Sequence, residues 1–184
     1  MTVGWDSPSS GAAAVNEPER LPGTGDNFVS NEVIVQGPTA AQVWHHLVDT
    51  STWETSYDNV ADISFPQGGG PELRTDVDFS FGTFGFPPLD AHVVEFQEPA
   101  DGVPGRLSWT AKQDGTPEER LDVLHAWLVE DLPGGRVRVL TQETQIGRPA
   151  AALAKERPNP MLNGHQAWLD GLVRAASGKM DPTR

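Results

Sequence analysis

The stretch that decides the fold lies near the C-terminus: HAWLVEDLPGGRVRVLTQETQIGRPA, residues 125–150, followed by NPMLNGHQAWLDGLVRAASG, residues 159–178. In the first part, two runs of alternating apolar and polar residues flank Gly134 and Gly135, which is the pattern of two antiparallel strands joined by a tight turn. In the second part, apolar residues recur at helical spacing from Met161 to Ala176, and Gly178 ends the pattern. The chain therefore predicts a strand, a turn, a strand and then one long amphipathic helix.

The N-terminal half supplies the elements that precede this pair of strands. Residues 27–37 alternate as a first strand, and residues 38–49, PTAAQVWHHLVD, begin with Pro38 and carry apolar residues on one helical face. A second short helix is predicted from Trp53 to Tyr57. Further strands are predicted at 59–65, 72–81, 91–98, 105–112, 120–131 and 136–146, separated by Gly- and Pro-rich turns. This order predicts an α+β helix-grip fold, a curved antiparallel sheet of about seven strands around the C-terminal helix.

The length of 184 residues suits one domain with a buried core. Residues 1–26 are rich in Gly, Ala, Ser and Pro without any periodicity, so we expect a flexible tail there. We assign residues 27–178 to the single ligand-binding domain and residues 179–184 to a C-terminal tail.

The charge balance excludes several classes of partner. Lys and Arg total 13 against 26 Asp and Glu, a formal net charge of −13, so nucleic acid and anionic membrane surfaces would repel the protein.

The chain has no Cys, which removes thiolate catalysis and Cys-based metal sites. No apolar run approaches the roughly 18–20 residues of a membrane span, and no secretory signal is visible. We expect a cytoplasmic protein, monomeric or homodimeric, without membrane insertion.

The chain resembles the START/polyketide cyclase superfamily, also called SRPBCC or birch-pollen-allergen-like, and most of all its polyketide cyclase/dehydrase-like branch. The residues that carry the resemblance are PTAAQVWHHLVD at 38–49 with Trp53 beyond it, HAWLVEDLPGGRVRV at 125–139 and QAWLDGL at 166–172. It covers roughly residues 27 to 177. The resemblance implies a cavity between sheet and helix that handles a hydrophobic small molecule, but the superfamily includes cyclases, carriers, receptors and co-chaperones.

Candidate proton-transfer residues follow from the alternation within strands. His125 and Trp127 share one face of the sixth strand, and Thr141 and Glu143 share one face of the seventh. If both faces are concave, Glu143 points into an apolar cavity, where desolvation raises the pKa of a carboxyl group toward neutrality. The alternative is that Glu143 faces water or pairs with an arginine, Arg138 or Arg148, at the rim.

Two imidazoles and one phenol complete the catalytic candidates. His125 and His92 both lie inside alternating strands and are candidates for general acid or base, although each could equally be a hydrogen-bonded structural residue. Tyr57, the only tyrosine, is a candidate for orienting a substrate carbonyl or phenol. For His165, on the apolar side of the last helix, we expect a role in core packing, with reach into the cavity as the alternative. The five His show no spacing typical of a two-His-one-carboxylate site, so neither metal nor cofactor is predicted.

A cavity lining of aromatic rings with a few polar groups is typical of small-molecule sites. The segment FGTFGFPPLD, residues 81–90, interleaves three Phe with Gly and Pro, which fits a lid or pocket rim, or rings that cap the core. The predicted substrate-binding residues are Trp53, Phe79, Phe81, Phe84, Trp109, Trp127, Thr141, Asn163, Gln166 and Trp168.

These observations lead to three functional hypotheses. The first is a cofactor-independent cyclase, aromatase or dehydratase that acts on a hydrophobic, polyketide-like intermediate in bacterial secondary metabolism. The second is a non-catalytic carrier or sequestering (self-resistance) protein for a lipid or hydrophobic metabolite. The third is a protein-interaction module, which predicts a filled core and no pocket.

Overall fold

A computed structural model describes residues 25–178. The predicted tails, 1–26 and 179–184, lie outside the described residues except for Gly25 and Asp26. The Asp26 backbone N–H donates to the carbonyl of Gln145, at a distance of 3.0 Å. The described part of the chain therefore begins where the sheet begins.

A single sheet of seven strands forms the framework of the protein. Every neighbouring pair is antiparallel, and the order across the sheet is β1-β7-β6-β5-β4-β3-β2. The strands are β1 (Asn27–Gln36), β2 (Val60–Ser64), β3 (Asp78–Thr83), β4 (Leu89–Gln97), β5 (Gly105–Gln113), β6 (Leu121–Leu132) and β7 (Arg136–Ile146). The sheet curls into a half-barrel whose concave side holds the core, as the helix-grip prediction requires.

Within residues 25–178, four α-helices and one short 3₁₀ helix (Thr50–Thr52) complete the fold. The α-helices are α1 (Ala40–Val48), α2 (Trp53–Ser56), α3 (Arg148–Leu153) and α4 (Pro160–Ala176). The Asn159 side chain caps α4 by accepting a hydrogen bond from the backbone N–H of Met161, and Pro160 occupies the first turn. The buried face of α4 packs across the sheet, so the long helix closes the concave side as predicted. Among residues 25–178, no helix is long and apolar enough to cross a membrane.

The segment 72–77 departs from the predicted third strand, which begins only at Asp78. The backbone N–H of Leu73 donates to the carbonyl of Val48, and Glu72 forms an isolated bridge with Asp49. Asp76 then adopts a left-handed backbone, φ 59°. Residues 72–73 are therefore tied to the end of α1, whereas Asp76 and Val77 bond the backbone of Val93 in β4 ahead of the regular strand. The alternation of the side chains could not reveal this change of partner.

Helix α4 approaches α2 so closely that only glycine fits at position 171. A Cβ atom there would lie 2.0 Å from the carbonyl oxygen of Ser56 and 3.0 Å from its carbonyl carbon. Because both contacts are with backbone, the clash cannot be relieved by a side-chain rotation.

We therefore expect Gly171→Ala to lower the free energy of unfolding by about 1–3 kcal/mol, although alanine is the better helix former. Denaturant unfolding measures the change. Asn163→Ala, at an exposed position of the same helix, is the control and should stay within about 0.5 kcal/mol of the wild type. A more stable Gly171→Ala would show that α4 does not rest on α2 in this way.

Candidate functional site

The centre of the site is a buried carboxylate between two imidazoles. His125 and Glu143 face each other across β6 and β7, and His125 Nδ1 lies 2.9 Å from Glu143 Oε2. His165 on α4 brings its Nε2 to 3.3 Å from the same oxygen. The three residues are only 2%, 6% and 1% exposed, respectively. We call them the His–Glu–His cluster, and they join the sheet to the closing helix.

The second oxygen of Glu143 is bound by a chain of side-chain amides. Gln145 Nε2 donates to Glu143 Oε1 at 2.7 Å, and Asn27 Nδ2 donates to Gln145 Oε1 at 2.9 Å. Asn159 Nδ2 in turn donates to Asn27 Oδ1 at 2.9 Å. Since Asn159 caps α4, this chain of hydrogen bonds fixes the start of the helix relative to the carboxylate.

Both ring nitrogens of His125 are engaged. Its Nδ1 contacts the carboxylate, and its Nε2 lies 2.7 Å from Thr141 Oγ1. A carboxylate only accepts hydrogen bonds, so the neutral ring carries its proton on Nδ1 and Nε2 accepts from the Thr141 hydroxyl. His125 therefore has no lone pair left for a ligand.

His165 differs from His125 in this respect. Its Nε2 contacts Glu143, but its Nδ1 is buried without a hydrogen-bond partner among the described residues. In the neutral form of the ring, an Nε2–H donated to Glu143 leaves the lone pair on Nδ1. His165 is thus the imidazole of the cluster that has a nitrogen available.

The two imidazoles beside Glu143 contradict the prediction that burial raises the pKa of this carboxyl group. Burial by itself raises the pKa of this carboxyl group, but the adjacent His125 and His165 lower it further than burial raises it, so the net shift is downward. Burial is also the largest influence on His125 and lowers its pKa to about 4, against the opposing attraction of Glu143. At neutral pH, Glu143 is therefore ionised and His125 is neutral.

The alternative that Glu143 pairs with an arginine at the rim is also wrong. Arg138 binds Glu32 and Glu130, and Arg148 binds Glu118. Glu143 faces the concave side, together with Thr141 and the inward residues of β6, as the alternation of the strands indicated.

A small cavity lies against the cluster. The volume that the centre of a water molecule can occupy there is about 20 Å³, enough for one or two waters, whereas drug-sized ligands fill clefts of roughly 300–1,000 Å³. The lining residues are Tyr57, Phe81, Thr83, Phe84, Phe86, Leu89, Trp109, Leu121, Val123, His125, Glu143, Gln145, Met161, His165 and Trp168. The space against the cluster is therefore lined mainly by aromatic and apolar side chains, but it is far smaller than the ligand cavity that was expected.

One wall of the cavity is formed by stacked rings. Tyr57 and Trp168 lie nearly parallel, 4.7 Å between centroids and 10° between planes. Asn59 Nδ2 donates to the Tyr57 hydroxyl at 3.3 Å. Burial raises the pKa of Tyr57 well above its usual value, against the opposing effect of Asn59, so the phenol stays protonated.

The structure brings most of the predicted site residues together and leaves others outside. Those that line the cavity are Tyr57, Phe81, Phe84, Trp109, His125, Glu143 and Trp168. Those that are buried behind the lining are Trp53, Phe79, Trp127 and Thr141. The remaining three lie elsewhere: His92, Asn163 and Gln166.

The reason for these three exceptions is the face that each occupies. On β4 the inward residues are Leu89, Ala91 and Val93, so His92 points outward, where its Nδ1 lies 2.7 Å from Asp78 Oδ1. Asn163 is exposed on α4. Gln166 accepts a hydrogen bond from Asn31 of β1, on the side of α4 away from the cavity lining.

Sequence reasoning left two polar residues of the site without an assigned role. For His165 core packing was favoured over reach into the cavity, and the structure places it in the cavity lining beside Glu143. Gln145 has the same strand parity as Glu143, so alternation could have placed it on the concave face. Neither residue had a motif to mark it.

The cluster also has the composition of a metal-binding set, which the expectation of no such set missed. His125, Glu143 and His165 offer ligand atoms that all lie within 4.8 Å of one another. Two imidazoles and a carboxylate are a donor set that Zn²⁺ and Fe²⁺ accept, but His125 would have to give up its Nδ1 proton before it could bind a metal. The sequence separation of 18 and 22 residues between them hid the set, because register and helix packing, not local spacing, bring it together.

No protein-family model and no curated protein matches the chain. Among solved structures, hypothetical protein jhp0584 from Helicobacter pylori is 46% identical, and the match covers 92% of this chain and 99% of that one with a TM-score of 0.81. The chain belongs to the same family as this Helicobacter protein. That relative is itself described only as hypothetical, so membership of the jhp0584 family establishes the architecture and leaves the activity to be argued from the site.

More distant structures share the fold alone. TTHA0849 from Thermus thermophilus is 14% identical with a TM-score of 0.58, over 84% of this chain and 99% of that one. CalU16 from Micromonospora echinospora is also 14% identical, with a TM-score of 0.52, over 84% of this chain and 77% of that one. At this identity, the likeness shows that the jhp0584 family has a widely used backbone, which supports many different functions.

The cluster predicts a loss of stability in acid. The unfolded chain binds a proton at His125 near pH 6.5, whereas the folded protein binds it only near pH 4, so stability is present above pH 6.5 and is lost as the pH falls to 4. Glu143, with its lowered pKa, acts in the same direction at still lower pH. We expect His125→Gln to remove on the order of 3 kcal/mol of this pH dependence, measured by denaturant unfolding at pH 7 and pH 4.

His92→Gln is the matched control for this prediction, because His92 is exposed and outside the cluster. It should keep the pH dependence of the wild type. If the free energy of unfolding changed equally between pH 7 and pH 4 in the wild type and in His125→Gln, His125 would not be held neutral by burial.

Proposed function

We propose that the protein binds a hydrophobic, polyketide-like small molecule in this cavity and promotes its cyclisation, aromatisation or dehydration by proton transfer. The observation that carries the proposal is the His–Glu–His cluster, an ionised carboxylate and two imidazoles buried at the wall of an aromatic cavity. Buried, strongly perturbed titratable groups in a cleft are typical of functional sites. The resemblance to the polyketide cyclase/dehydrase-like branch supports the same reaction class.

Within this proposal, His165 is the proton acceptor. Its Nδ1 lone pair takes a proton from a carbon next to a substrate carbonyl. The ionised Glu143, which contacts the Nε2–H of the same ring, stabilises the imidazolium that results. In a dehydration, the same proton is returned to the departing hydroxyl group, which leaves as water. His125, held by Thr141, keeps the carboxylate in position for His165.

The indoles around the cavity favour a substrate that carries oxygen. The indole nitrogens of Trp109 and Trp168, both cavity-lining residues, have no hydrogen-bond partner among the described residues. Burying an N–H donor without an acceptor is unfavourable. A carbonyl or phenolic oxygen on the bound molecule would supply the missing acceptor, and the Tyr57 hydroxyl is a further donor for it.

The small volume of the cavity bears on the competing hypotheses. A filled core is what an interaction module predicts, but such a module has no need of a buried ionised cluster, whose desolvation is costly. A carrier or sequestering protein would use the same cavity and the same opening as the enzyme. The carrier therefore remains the second candidate, and turnover separates the two. The cytoplasmic location and the monomeric or homodimeric state stay predictions.

The test uses a panel of polyketide, polyphenol and fatty-acyl compounds. Native mass spectrometry reports binding, and chromatography of the same mixtures detects product beyond one equivalent of protein. With a chelator present throughout, we expect turnover, and we expect His165→Gln to lower it by roughly 100- to 10,000-fold, which is the usual contribution of a general base. Glu143→Gln should lower it as well.

His92→Gln is again the control and should turn over substrate at the wild-type rate, since His92 lies on the outer face. A compound that binds one to one and returns unchanged would favour the carrier. Turnover that survives His165→Gln undiminished would contradict the assigned base.

A further inference from the structure

We infer that the phenyl ring of Phe84 occupies a binding subsite of the protein, a slot over Gly164 that takes a planar aromatic ring of the ligand. The inference rests on the proposed function, since it names the class of molecule that the same cavity binds. Phe84 is then an internal stand-in for the ligand, and the closed cavity is the state in which the protein's own ring fills the subsite.

The floor of the slot is the missing side chain of Gly164. A Cβ atom at this position would lie 2.3 Å from Phe84 Cζ and 2.8 Å from Phe84 Cε1, and 3.1 Å from the Tyr57 hydroxyl oxygen. Glycine inside a helix is unfavourable for helix stability. Its presence in α4 is explained by the edge of the phenyl ring, Cζ and Cε1, which abuts the helix backbone.

The segment that carries Phe84 is built under backbone strain. Phe84 adopts a left-handed conformation, φ 51°, which is unfavourable for a residue with a bulky side chain. Asn59 holds it there, since Asn59 Oδ1 accepts from the Phe84 backbone N–H at 3.0 Å. Gly85 follows with φ 70°, and two prolines lie beyond it at 87 and 88. The segment is also held by the Thr83 hydroxyl, which donates to the Asn59 carbonyl at 2.8 Å. These hydrogen bonds fix the backbone and not the ring, so a ligand that offers the same ring contacts can displace the phenyl group.

The surroundings of the ring are those of a ligand site. We call the phenyl ring of Phe84 the plug. Asn59 also donates to the Tyr57 hydroxyl, so the amide of Asn59 connects the plug to the residue that would orient a substrate oxygen. Tyr57 stacks on Trp168, which forms an aromatic wall. His165 follows Gly164 directly on α4, so a ring in the slot lies beside the cluster.

The chemical class follows from these contacts. A flat six-membered ring replaces the phenyl ring, and a hydroxyl or carbonyl oxygen on it meets the donors of the cavity. An aliphatic chain would fit the slot less well. Its cross-section is rounder than the flat space that the phenyl ring leaves when it moves out of the slot.

The experiment measures the binding of 2-naphthol by calorimetry to four proteins: the wild type, Phe84→Ala, Gly164→Ala and the double variant. Removing the plug vacates the subsite, so we expect Phe84→Ala to bind at least about tenfold more tightly than the wild type. A methyl group at position 164 refills the slot, so the double variant should lose this gain. Phe28→Ala, at an exposed phenylalanine on β1, is the control and should bind as the wild type does.

Two outcomes would overturn the inference: Phe84→Ala that binds no more tightly than the wild type, or a double variant that binds as tightly as Phe84→Ala. Near-ultraviolet circular dichroism and the melting temperature establish that each variant is folded. If Gly164→Ala fails to fold, decanol takes the place of the double variant as the negative probe of Phe84→Ala. Decanol bound as tightly as 2-naphthol would then contradict an aromatic subsite.

The binding result is independent of turnover. A tighter Phe84→Ala together with no product from any compound would leave the subsite standing and the enzyme proposal refuted. Product that depends on His165, together with unchanged binding by Phe84→Ala, would leave the enzyme standing and the subsite refuted.

Discussion

The burial of the Glu143 charge is the constraint on which the rest of the interior depends. An ionised carboxylate inside an apolar core is strongly unfavourable unless its oxygens are hydrogen-bonded. Here His125 comes from the neighbouring strand, His165 from the closing helix and Gln145 from two residues along β7. Through Gln145 the requirement extends to Asn27 and to Asn159, the N-cap of α4. The position of the long helix is thus set by a polar network as well as by apolar packing.

Aromatic residues surround this polar network. Trp109 packs on His125 with 4.7 Å between ring centroids, and Trp168 packs over the same imidazole at 5.6 Å. Such walls exclude water, so charges inside the cavity interact strongly. They also leave little free space in the cavity. In the two proposals above, the phenyl ring of Phe84 is displaced by a ligand, and this ring contacts Gly164, the neighbour of the proposed proton acceptor His165.

Much of the fold could be predicted from the sequence, because it follows from periodicity. The pair β6 and β7 around Gly134 and Gly135, the first helix after Pro38 and the long last helix all appear where the patterns indicated. The concave face of β6 and β7 was predicted by alternation, and with it the inward direction of His125 and Glu143. The start of β3 was not, because residues 72–73 pair with the end of α1 and the regular strand begins only at Asp78.

The site could be predicted from the sequence less completely than the fold, for a related physical reason. Alternation along a strand assigns each side chain to one face of the sheet. Only the register between strands and the rotation of α4 about its axis bring His165 to Glu143. Without that contact the pKa of Glu143 was expected to rise, whereas two imidazoles lower it. His92 had the same strand context as His125 but the opposite face. The closed state of the cavity depends on the backbone of Phe84, which no pattern in residues 81–90 specifies.

The most direct test of the central claim is nitrogen NMR of the protein labelled with ¹⁵N-histidine at neutral pH. The account predicts that His125 is neutral with its proton on Nδ1, and that His165 has its proton on Nε2 and an unprotonated Nδ1. A doubly protonated His125, or the reverse pair of tautomers, would contradict a cluster in which both imidazoles donate to the buried Glu143 carboxylate.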